Sequence, residues 1–418
     1  MSNNNVLTQV ITYNRSNLAL LLNQNCFLST SNKKWNGFNT QIPKNLGDTV
    51  SFDLPPRFTT VNSLIIATEA AVQRVHNLTV DTPFSVSYPF TDEQVIFNDI
   101  KGYEPVFAKS AMAELGAKVE ASIAKLAETN TFRFYGNGSN PVSTYLDLAN
   151  ALARFRNFGA AKDNVKGYLS DMIVPQIVNS GLGQFTVDKN NREMMSWEIG
   201  GFSNCTWYQS NLLPTHISGS NGLAQSVLTV VSTTSDANGG IVTITFGGAS
   251  AANDSNSVLK YDKFEFSDGV AGKTNLRFRT FIGHEVSQSP VQFAATADAA
   301  SNGGSQVTVS ITPPLQAGSG SGQNINTQIV AGMQGKFITS HRCALITGGN
   351  PLYTAMPRLP DQSPFVTGAE TDMDTGASLR TYYGTLFGQD SRVFVHDCIL
   401  GKTLVPEYAM MIALPTAV

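Results

Sequence analysis

The fold is decided where the turn cluster Asp236-Ala237-Asn238-Gly239-Gly240 is followed by alternating apolar residues, Val242, Ile244 and Phe246. This pattern, a turn cluster followed by alternating apolar residues, repeats from Thr215 to Thr347. Other turn clusters are Ser218-Gly219-Ser220-Asn221-Gly222, Asn253-Asp254-Ser255-Asn256 and Ser301-Asn302-Gly303-Gly304, and other alternating pairs or runs are Phe264 and Phe266, Leu276 and Phe278, and Val307, Val309 and Ile311. About six short strands at this spacing predict a small closed barrel.

The sequence on both sides of this stretch mixes helix and strand patterns. A strand-and-turn segment precedes it, Gly200 to Tyr208 followed by Leu212-Leu213-Pro214, and an apolar block follows it, Arg392 to Leu400 closing with Ile412-Ala413-Leu414-Pro415. We therefore interpret residues 215–347 as a domain inserted into a host fold that is interrupted and then resumed.

A long amphipathic helix is predicted from about Gly102 to Asn130. Apolar residues recur there at steps of three or four, which is the spacing of one buried stripe: Ala108, Met112, Leu115, Val119, Ile123 and Leu126. Charged residues take the other positions: Lys109, Glu114, Lys118, Glu120, Lys125 and Glu128. A second helix is expected from Ser143 to Phe158 and a strand at Gly167-Tyr168-Leu169. These elements predict an α+β host fold.

The sequence of the N-terminal part predicts an extended arm followed by a β-hairpin. Residues 1–46 are polar and weakly periodic, and we expect them to be ordered by lying on another surface. Alternation from Asp48 to Leu54 predicts a strand that Pro55-Pro56 ends, and a second alternating stretch covers residues 78–88. Two strands alone bury little, so the hairpin also needs a partner surface.

Composition limits the function classes. The chain has 418 residues, 14% of them charged, against roughly 25% in an ordinary soluble domain. Low charge suggests a surface covered by neighbours, although a polar Ser/Asn/Thr surface gives the same count. The formal net charge of -3 argues against strong nucleic-acid affinity. No basic secretory start precedes the short apolar run Leu18 to Leu22, so we expect a protein made and kept in a cytoplasm, with no membrane partner.

Catalytic and metal-binding patterns are missing from the sequence. The four cysteines, Cys26, Cys205, Cys343 and Cys398, are far apart and are interpreted as reduced core thiols. None of the five histidines stands in a metal-protease motif, and in His396-Asp397-Cys398 alternate strand faces separate Asp397 from the other two side chains. The stretch Asp372 to Gly376 lacks the ligands of a calcium loop and is read as a solvated turn. The prediction is no enzyme and no cofactor.

One modest basic cluster remains, formed by Arg154, Arg156, Lys162 and Lys166. A solvated helix face explains it most simply. The alternative is a contact with packaged nucleic-acid backbone or with a neighbouring acidic loop, which salt dependence would reveal.

The order of these parts resembles the major coat protein of tailed double-stranded DNA phages, the Hong Kong 97-type capsid fold, in particular the short-tailed Salmonella-phage branch with an inserted domain. The local likeness is Leu259-Lys260-Tyr261-Asp262-Lys263-Phe264-Glu265-Phe266 followed by Asp268-Gly269-Val270, with Tyr261 in place of the family's glycine. The ending is also similar, from Ser391-Arg392-Val393-Phe394-Val395 through Pro406-Glu407 to Met411-Ile412-Ala413-Leu414-Pro415.

The resemblance implies a division of the chain into named parts. These are an N-terminal arm at 1–46, an extended loop at 47–91, a peripheral domain with the long helix as its spine at 92–140, a first axial part at 141–214, the inserted β-barrel domain at 215–347, and a second axial part with return strands at 348–418. Intersubunit contacts are expected at Arg57, Phe58 and Arg74 in the loop and at Trp35 and Phe38 in the arm. For each of the three loop residues, a role within the chain is an equal alternative.

The family further implies a non-enzymatic subunit that assembles in many copies into the virion capsid within a bacterial host cytoplasm. Expected partners are a separate scaffolding protein, a portal protein, a decoration protein and packaged DNA held by weak non-specific contact. The start at Met1 fits a subunit without a cleaved leader. Two alternatives stay open at this point: an encapsulin-like compartment shell, and a β-rich adhesin or carbohydrate-binding protein. A hydrolase on the α/β body is the weakest, since no nucleophile elbow is present.

Overall fold

The computed structural model describes residues 17–18, 21, 26–32, 48–58, 74–91, 100–140, 142–159, 163–179, 198–202, 204–267, 276–280, 282–318, 322–362, 366–371, 377–385 and 391–416. The chain forms two compact units. The first comprises residues 1–52, 75–124 and 352–404, and the second comprises residues 53–74, 125–351 and 405–418.

In chain order, the helices are α1 (Cys26–Thr30), α2 (Ile100–Ala124), α3 (Leu126–Thr129), α4 (Tyr145–Asn157), α5 (Val174–Asn179) and α6 (Ser220–Ala224), with a short 3-10 helix at Pro406–Tyr408. The strands are β1 (Thr49–Leu54), β2 (Arg74–Thr91), β3 (Phe134–Tyr135), β4 (Lys166–Ser170), β5 (Glu198–Phe202), β6 (Cys205–Ser210), β7 (Thr215–His216), β8 (Leu228–Ser235), β9 (Ile241–Gly247), β10 (Lys263–Phe266), β11 (Arg277–Arg279), β12 (Val286–Pro290), β13 (Gln292–Ala295), β14 (Gln306–Leu315), β15 (Gln334–Phe337), β16 (His341–Thr347), β17 (Leu352–Ala355), β18 (Val366–Thr371), β19 (Ser378–Thr385), β20 (Ser391–Leu404) and β21 (Ala409–Pro415).

The first unit is built on a six-stranded sheet. Its order is β1-β2-β20-β19-β18, and β17 also pairs with β20. The predicted hairpin forms, and Pro55 follows the end of β1. It has a partner within its own chain, because β2 pairs antiparallel with β20 from Val80 to Thr91 and Leu78 is fully buried beside Ala355. The hairpin thus finds a partner surface within its own chain along β2, and a contact of this segment with another subunit remains a prediction.

The long helix α2 carries the predicted buried stripe, with Met112 and Val119 fully buried. The helix predicted to reach Asn130 is interrupted at Lys125, where α2 ends and the short α3 follows. Glu120, assigned to the charged face, is instead 2% exposed. Its carboxylate accepts hydrogen bonds from the backbone N–H groups of Phe27 (2.9 Å) and Leu28 (3.4 Å), and from the Cys26 thiol (2.9 Å).

Glu120 thus anchors the arm helix α1 to a helix of the same chain. The carboxylate satisfies N–H groups at the start of α1, which have no partners within that helix. Burial raises the pKa of Glu120, and the hydrogen bonds from Cys26, Phe27 and Leu28 oppose that shift. Phe27 and Leu28 are fully buried, so the described part of the arm rests on its own chain rather than on a neighbour.

The second unit contains the closed barrel and a seven-stranded sheet. The barrel order is β10-β13-β14-β9-β8-β15, which confirms the predicted six-stranded closed barrel. Its interior is aromatic: the ring centroids of Phe264 lie 4.8 Å from Phe246, 4.9 Å from Phe293 and 4.9 Å from Phe337. The strand expected at Leu276 and Phe278 is not a barrel strand. It is β11, which pairs with β12 and forms one further bridge, from Phe278 to Ile325.

The sheet beside the barrel has the order β3-β21-β16-β4-β6-β5, and β7 also pairs with β16. Strands β7 and β16 flank the barrel in the chain and pair directly, with His341 opposite His216. The chain therefore leaves this sheet at β7, completes the barrel and returns to the same sheet at β16. The boundaries predicted for the inserted domain remain a prediction.

Candidate functional site

Within the described part of the second unit, a cluster of charged side chains joins Arg57, which follows β1, to Arg74, the first residue of β2. Arg57 and Arg74 both bind one oxygen of Glu407, Oε1, and the Arg57 Nη2 to Glu407 Oε1 distance is 2.5 Å. The three side chains are between 17% and 23% exposed. Glu407 lies in the 3-10 helix directly after Pro406, so one carboxylate binds a residue on each side of positions 58–73. We call this cluster the loop clamp.

Electrostatics of the loop clamp favour the pairing. Burial lowers the pKa of Arg57, Glu407 opposes this shift and Arg74 adds to it. Two like charges share a single carboxylate, so removing that carboxylate would leave two guanidinium groups in mutual repulsion in a partly buried place. The clamp can therefore position the loop, but its side chains point to each other rather than to a neighbour.

A third arginine, Arg133, binds the backbone of the segment that carries Glu407. Arg133 is 3% exposed, and its Nη2 donates to the carbonyl oxygens of Glu407 (3.0 Å) and Ala409 (3.2 Å). Its guanidinium carbon lies 4.0 Å from the ring centroid of Phe158, a cation–π distance. Burial lowers the pKa of Arg133 to about 9. Arg133 thus fixes the backbone of the turn that presents Glu407.

A cavity of about 270 Å³ opens beside the loop clamp. Arg57 and Glu407 line it, the rings of Phe132, Phe158 and Phe278 form its apolar part, and Arg279 and Asp236 add opposite charges. A volume of this size accepts roughly one or two side chains and falls below the usual range for small-molecule pockets.

The other predicted contact residues are placed as follows. Phe58 is 58% exposed, and its carbonyl oxygen lies 3.3 Å from His284 Nε2. Trp35 and Phe38 lie outside the described residues. The structure thus brings Arg57 and Arg74 together and leaves the Phe58 ring facing solvent, whereas a contact between subunits at these positions remains a prediction.

The predicted basic cluster is divided among different partners. Arg154 and Arg156 lie on α4, where Arg154 Nη2 binds Glu265 Oε2 at 2.6 Å and Arg156 Nη2 lies 3.4 Å from the carbonyl oxygen of Asn204. Lys166 opens β4 half-buried, and burial lowers its pKa. Lys162 lies outside the described residues, as does the acidic stretch 372–376. A contact with DNA remains a prediction for this cluster.

The cysteines and histidines give no catalytic arrangement in the described part of the chain. All four cysteines are free and buried, as interpreted from the sequence. His396 and Cys398 are buried, while Asp397 binds Arg380 with its carboxylate (Nε to Oδ1, 2.9 Å). Among described residues, no three His, Cys, Asp or Glu side chains are placed to hold a metal ion. No helix of the described segments is long and apolar enough to cross a membrane.

Sequence reasoning missed three charged residues that organise these elements: the buried Glu120 and Arg133 and the partly buried Glu407. A signal existed for Glu407, since it stands in the Pro406-Glu407 pair of the family-like ending. For Glu120 and Arg133, nothing in the local pattern distinguishes them from charged residues on a solvated face.

Comparison with known proteins gives likenesses of backbone only. The chain is similar to a solved structure of Mycobacterium phage Che8 (9% identity, 93% of this chain and 90% of that chain covered, TM-score 0.46). It is also similar to the capsid of Cyanophage P-SCSP1u (10%, 92% and 88%, TM-score 0.40) and to a virus-like particle from Pyrococcus furiosus (7%, 96% and 99%, TM-score 0.37). At TM-scores this low, a likeness decides neither fold nor function. No family model and no curated protein sequence matches the chain.

Proposed function

We propose that this chain is the shell-forming subunit of a tailed-phage head, and that many copies enclose packaged double-stranded DNA in an icosahedral capsid without catalysis. The fold in this proposal is the Hong Kong 97-type capsid fold with residues 215–347 inserted, and the arm, extended loop, peripheral and axial parts have the boundaries predicted from sequence. The resemblance in order of parts supports it. So does one feature of the barrel surface.

That feature is a pair of sequence stretches without charged residues that carry exposed apolar side chains. Residues 217–235 contain no Asp, Glu, Lys or Arg, and neither do residues 324–335. Within them Ile217 is 68% exposed, Leu223 57%, Val227 56%, Val231 43% and Val330 45%. We call these five residues the uncharged strip. Strand β8 pairs with β15, and the Val230 carbonyl accepts from the Gly332 N–H at 2.8 Å, so Val231 and Val330 lie on adjoining backbone.

The uncharged strip has the composition of an interface centre. Charged residues are depleted at the centres of protein interfaces, and an uncharged patch meets a copy of itself without like-charge repulsion. Burying apolar area stabilises by about 25 cal/mol per Å². Five side chains cover less than the roughly 800 Å² per partner of a stable pair, so the strip alone would hold a weak contact that many copies in a shell multiply.

The proposal includes the remaining predicted partners. A scaffolding protein, a portal protein and a decoration protein would join the self-assembled copies, and Arg154, Arg156, Lys162 and Lys166 would face packaged DNA by weak, salt-dependent contact. Phe58, with Trp35 and Phe38, would contact a neighbouring subunit, while Arg57 and Arg74 would act there through the loop clamp. The particle would assemble in a bacterial cytoplasm.

Electron microscopy of the full chain, alone and with its scaffolding protein, tests the proposal. We expect closed shells of uniform diameter from the wild type. Val231→Lys should reduce particle yield by about tenfold or more, because a buried unpaired charge is destabilising at each contact. Ser310→Lys is the matched control, since it adds the same charge at an exposed polar position of the barrel and should leave the yield unchanged.

Three results would count against the proposal in different ways. A wild type that stays monomeric with scaffolding protein present overturns the shell function. Shells that form equally well from Val231→Lys remove the uncharged strip as its support. Particles isolated from the natural source that hold a protein cargo instead of DNA would favour the compartment alternative.

A further inference from the structure

His216 lies at the root of the barrel and is held between two carboxylates. The residue is 3% exposed, with Nδ1 2.8 Å from Glu128 Oε1 and Nε2 2.8 Å from Asp262 Oδ1. Asp262 is an acceptor on its other oxygen as well, because Oδ2 receives the N–H groups of Gly219 (3.1 Å) and Leu259 (2.8 Å). An ionised carboxylate only accepts, so both ring nitrogens of His216 must carry protons. The ring is therefore a buried imidazolium.

This one ring joins three parts of the second unit. Glu128 belongs to α3, His216 to β7, and Asp262 immediately precedes the first residue of β10. The N–H groups bound by Asp262 come from the turn into α6 and from the chain approaching β10. Since β7 is the point where the chain leaves the sheet for the barrel, His216 connects the sheet and its helix to the start of a barrel strand.

Three further titratable groups lie beside this cluster. Lys263 Nζ binds the carbonyl oxygens of Glu128 (2.9 Å) and Thr131, and burial lowers its pKa to about 8. The His341 ring centroid lies 5.4 Å from that of His216, and burial lowers the pKa of His341 to about 3, so it is neutral. Burial raises the pKa of Cys343 to about 12. Two cations thus balance two carboxylates near neutral pH.

We propose that the protonated His216 ring stabilises the junction between the sheet and the start of the barrel. The junction is stable when the ring carries two protons and less stable when it loses one. Without the second proton, one ring nitrogen presents a lone pair to a carboxylate. A charge-assisted hydrogen bond is then replaced by repulsion, and a single cation, Lys263, remains for two buried carboxylates. The inference goes beyond the proposed shell function and does not depend on it.

The direction of the pH dependence follows from the two states of the ring. Burial alone would lower the pKa of His216, but the hydrogen bonds to Asp262 and Glu128 outweigh it and raise the pKa above 6.5. The folded state therefore holds the proton to higher pH than the unfolded state, so this stabilisation is complete below pH 6.5 and is lost as pH rises through the raised pKa. Lys263 has the opposite effect, because its lowered pKa makes stability rise with pH in the alkaline range.

Hydrogen-exchange mass spectrometry of the full chain tests this role of His216. Protection of peptides covering residues 215–219 and 259–263 is measured between about pH 6 and about pH 9 and corrected for intrinsic exchange. We expect wild-type protection to fall by about tenfold or more over this interval. A difference of about one unit between the folded-state and unfolded-state pKa of the ring changes the opening equilibrium about tenfold. His216→Gln should show low protection that changes little with pH.

Two further variants keep the test decisive. His341→Gln is the matched control: it alters the neighbouring neutral ring and should retain the alkaline loss. Asp262→Asn removes one negative partner, so the loss should begin about one pH unit lower. Wild-type protection that does not fall, or an equal fall in His216→Gln, overturns the proposal. Because the readout is peptide exchange in the unassembled chain, failure to form shells would not affect it.

Discussion

At the scale of single residues, buried histidines in this protein differ by their partners. His216 meets two carboxylates, whereas His396 meets two hydroxyl groups: Nδ1 lies 2.8 Å from Thr381 Oγ1 and Nε2 lies 3.2 Å from the Tyr88 hydroxyl oxygen. His396 is fully buried. Burial lowers the pKa of His396 to about 4. Equal burial thus gives opposite charge states, and the acceptors decide which one.

This difference predicts acid sensitivity around β20. The unfolded state binds a proton at His396 near pH 6.5, but the folded state does so only near pH 4. Stability is therefore lost as pH falls from about 6.5 to about 4, by an amount on the order of 3 kcal/mol. His396→Gln should flatten this acid loss, measured by the urea dependence of exchange protection in residues 391–404. His284→Gln, in the second unit, should leave it as in the wild type; an unchanged slope in His396→Gln would contradict the prediction.

At the scale of elements, a single carboxylate binds donors in each of two N-terminal segments. Glu120 fixes the arm helix α1 on α2, and Glu407 fixes both sides of the extended loop. Among the described residues, seven of the thirteen exposed large apolar side chains lie between positions 217 and 330, including Ile282, which is 81% exposed. Within the described residues, Phe27 and Leu28 of the arm are buried, whereas Phe58 and Val75 of the hairpin segment are 58% and 52% exposed.

Glu407→Gln is predicted to release the loop base. The amide keeps the shape but loses the charge, so two guanidinium groups remain in repulsion; a hydrogen bond to a charged group contributes about 1.5–3 kcal/mol. We expect cleavage at Glu69, the single acidic residue between Phe58 and Arg74, to become about tenfold faster with a glutamate-specific protease. Glu285→Gln, at an exposed site in the same unit, should cleave at the wild-type rate. Equal rates for both variants would show that the loop clamp does not control the loop.

At the scale of the whole molecule, two compact units lie in one chain, and each is made of segments far apart in sequence. The first joins residues 1–52 and 75–124 with residues 352–404, and the second has the barrel and the seven-stranded sheet. Each has its own fully buried side chains, such as Leu400 in β20 and Phe264 in β10. Separate cores are the physical requirement for separate unfolding transitions.

Calorimetry of the unassembled chain should therefore resolve two transitions. Leu400→Ala should lower only one of them, since removing a fully buried leucine costs about 2–5 kcal/mol. Gly335→Ala should lower only the other, by about 1–3 kcal/mol, because its Cβ would stand 2.5 Å from the Phe264 ring. Gly303→Ala, with only ordinary contacts, should change neither. One transition lowered by both variants would show that the two units unfold together.

Local patterns in the sequence were sufficient for the individual elements. The three- and four-residue spacing from Ala108 to Ile123 predicted the buried stripe of α2, and alternation at Val242, Ile244 and Phe246 predicted β9. The same reasoning failed at Phe278, because β11 alternates like a barrel strand but pairs outside the barrel. Periodicity reports which side of a strand is apolar, whereas the choice of neighbouring strand depends on the rest of the chain.

What the sequence determined by itself was the kind and order of elements and the closed barrel, because backbone preferences and apolar spacing act between near neighbours. Only the tertiary structure decided which charges are buried and what they bind. Arg57 and Glu407 are 350 positions apart, and Cys26 and Glu120 are 94 apart. No local signal marks such pairs, since a charged side chain leaves water only where a distant donor or acceptor replaces the water it loses.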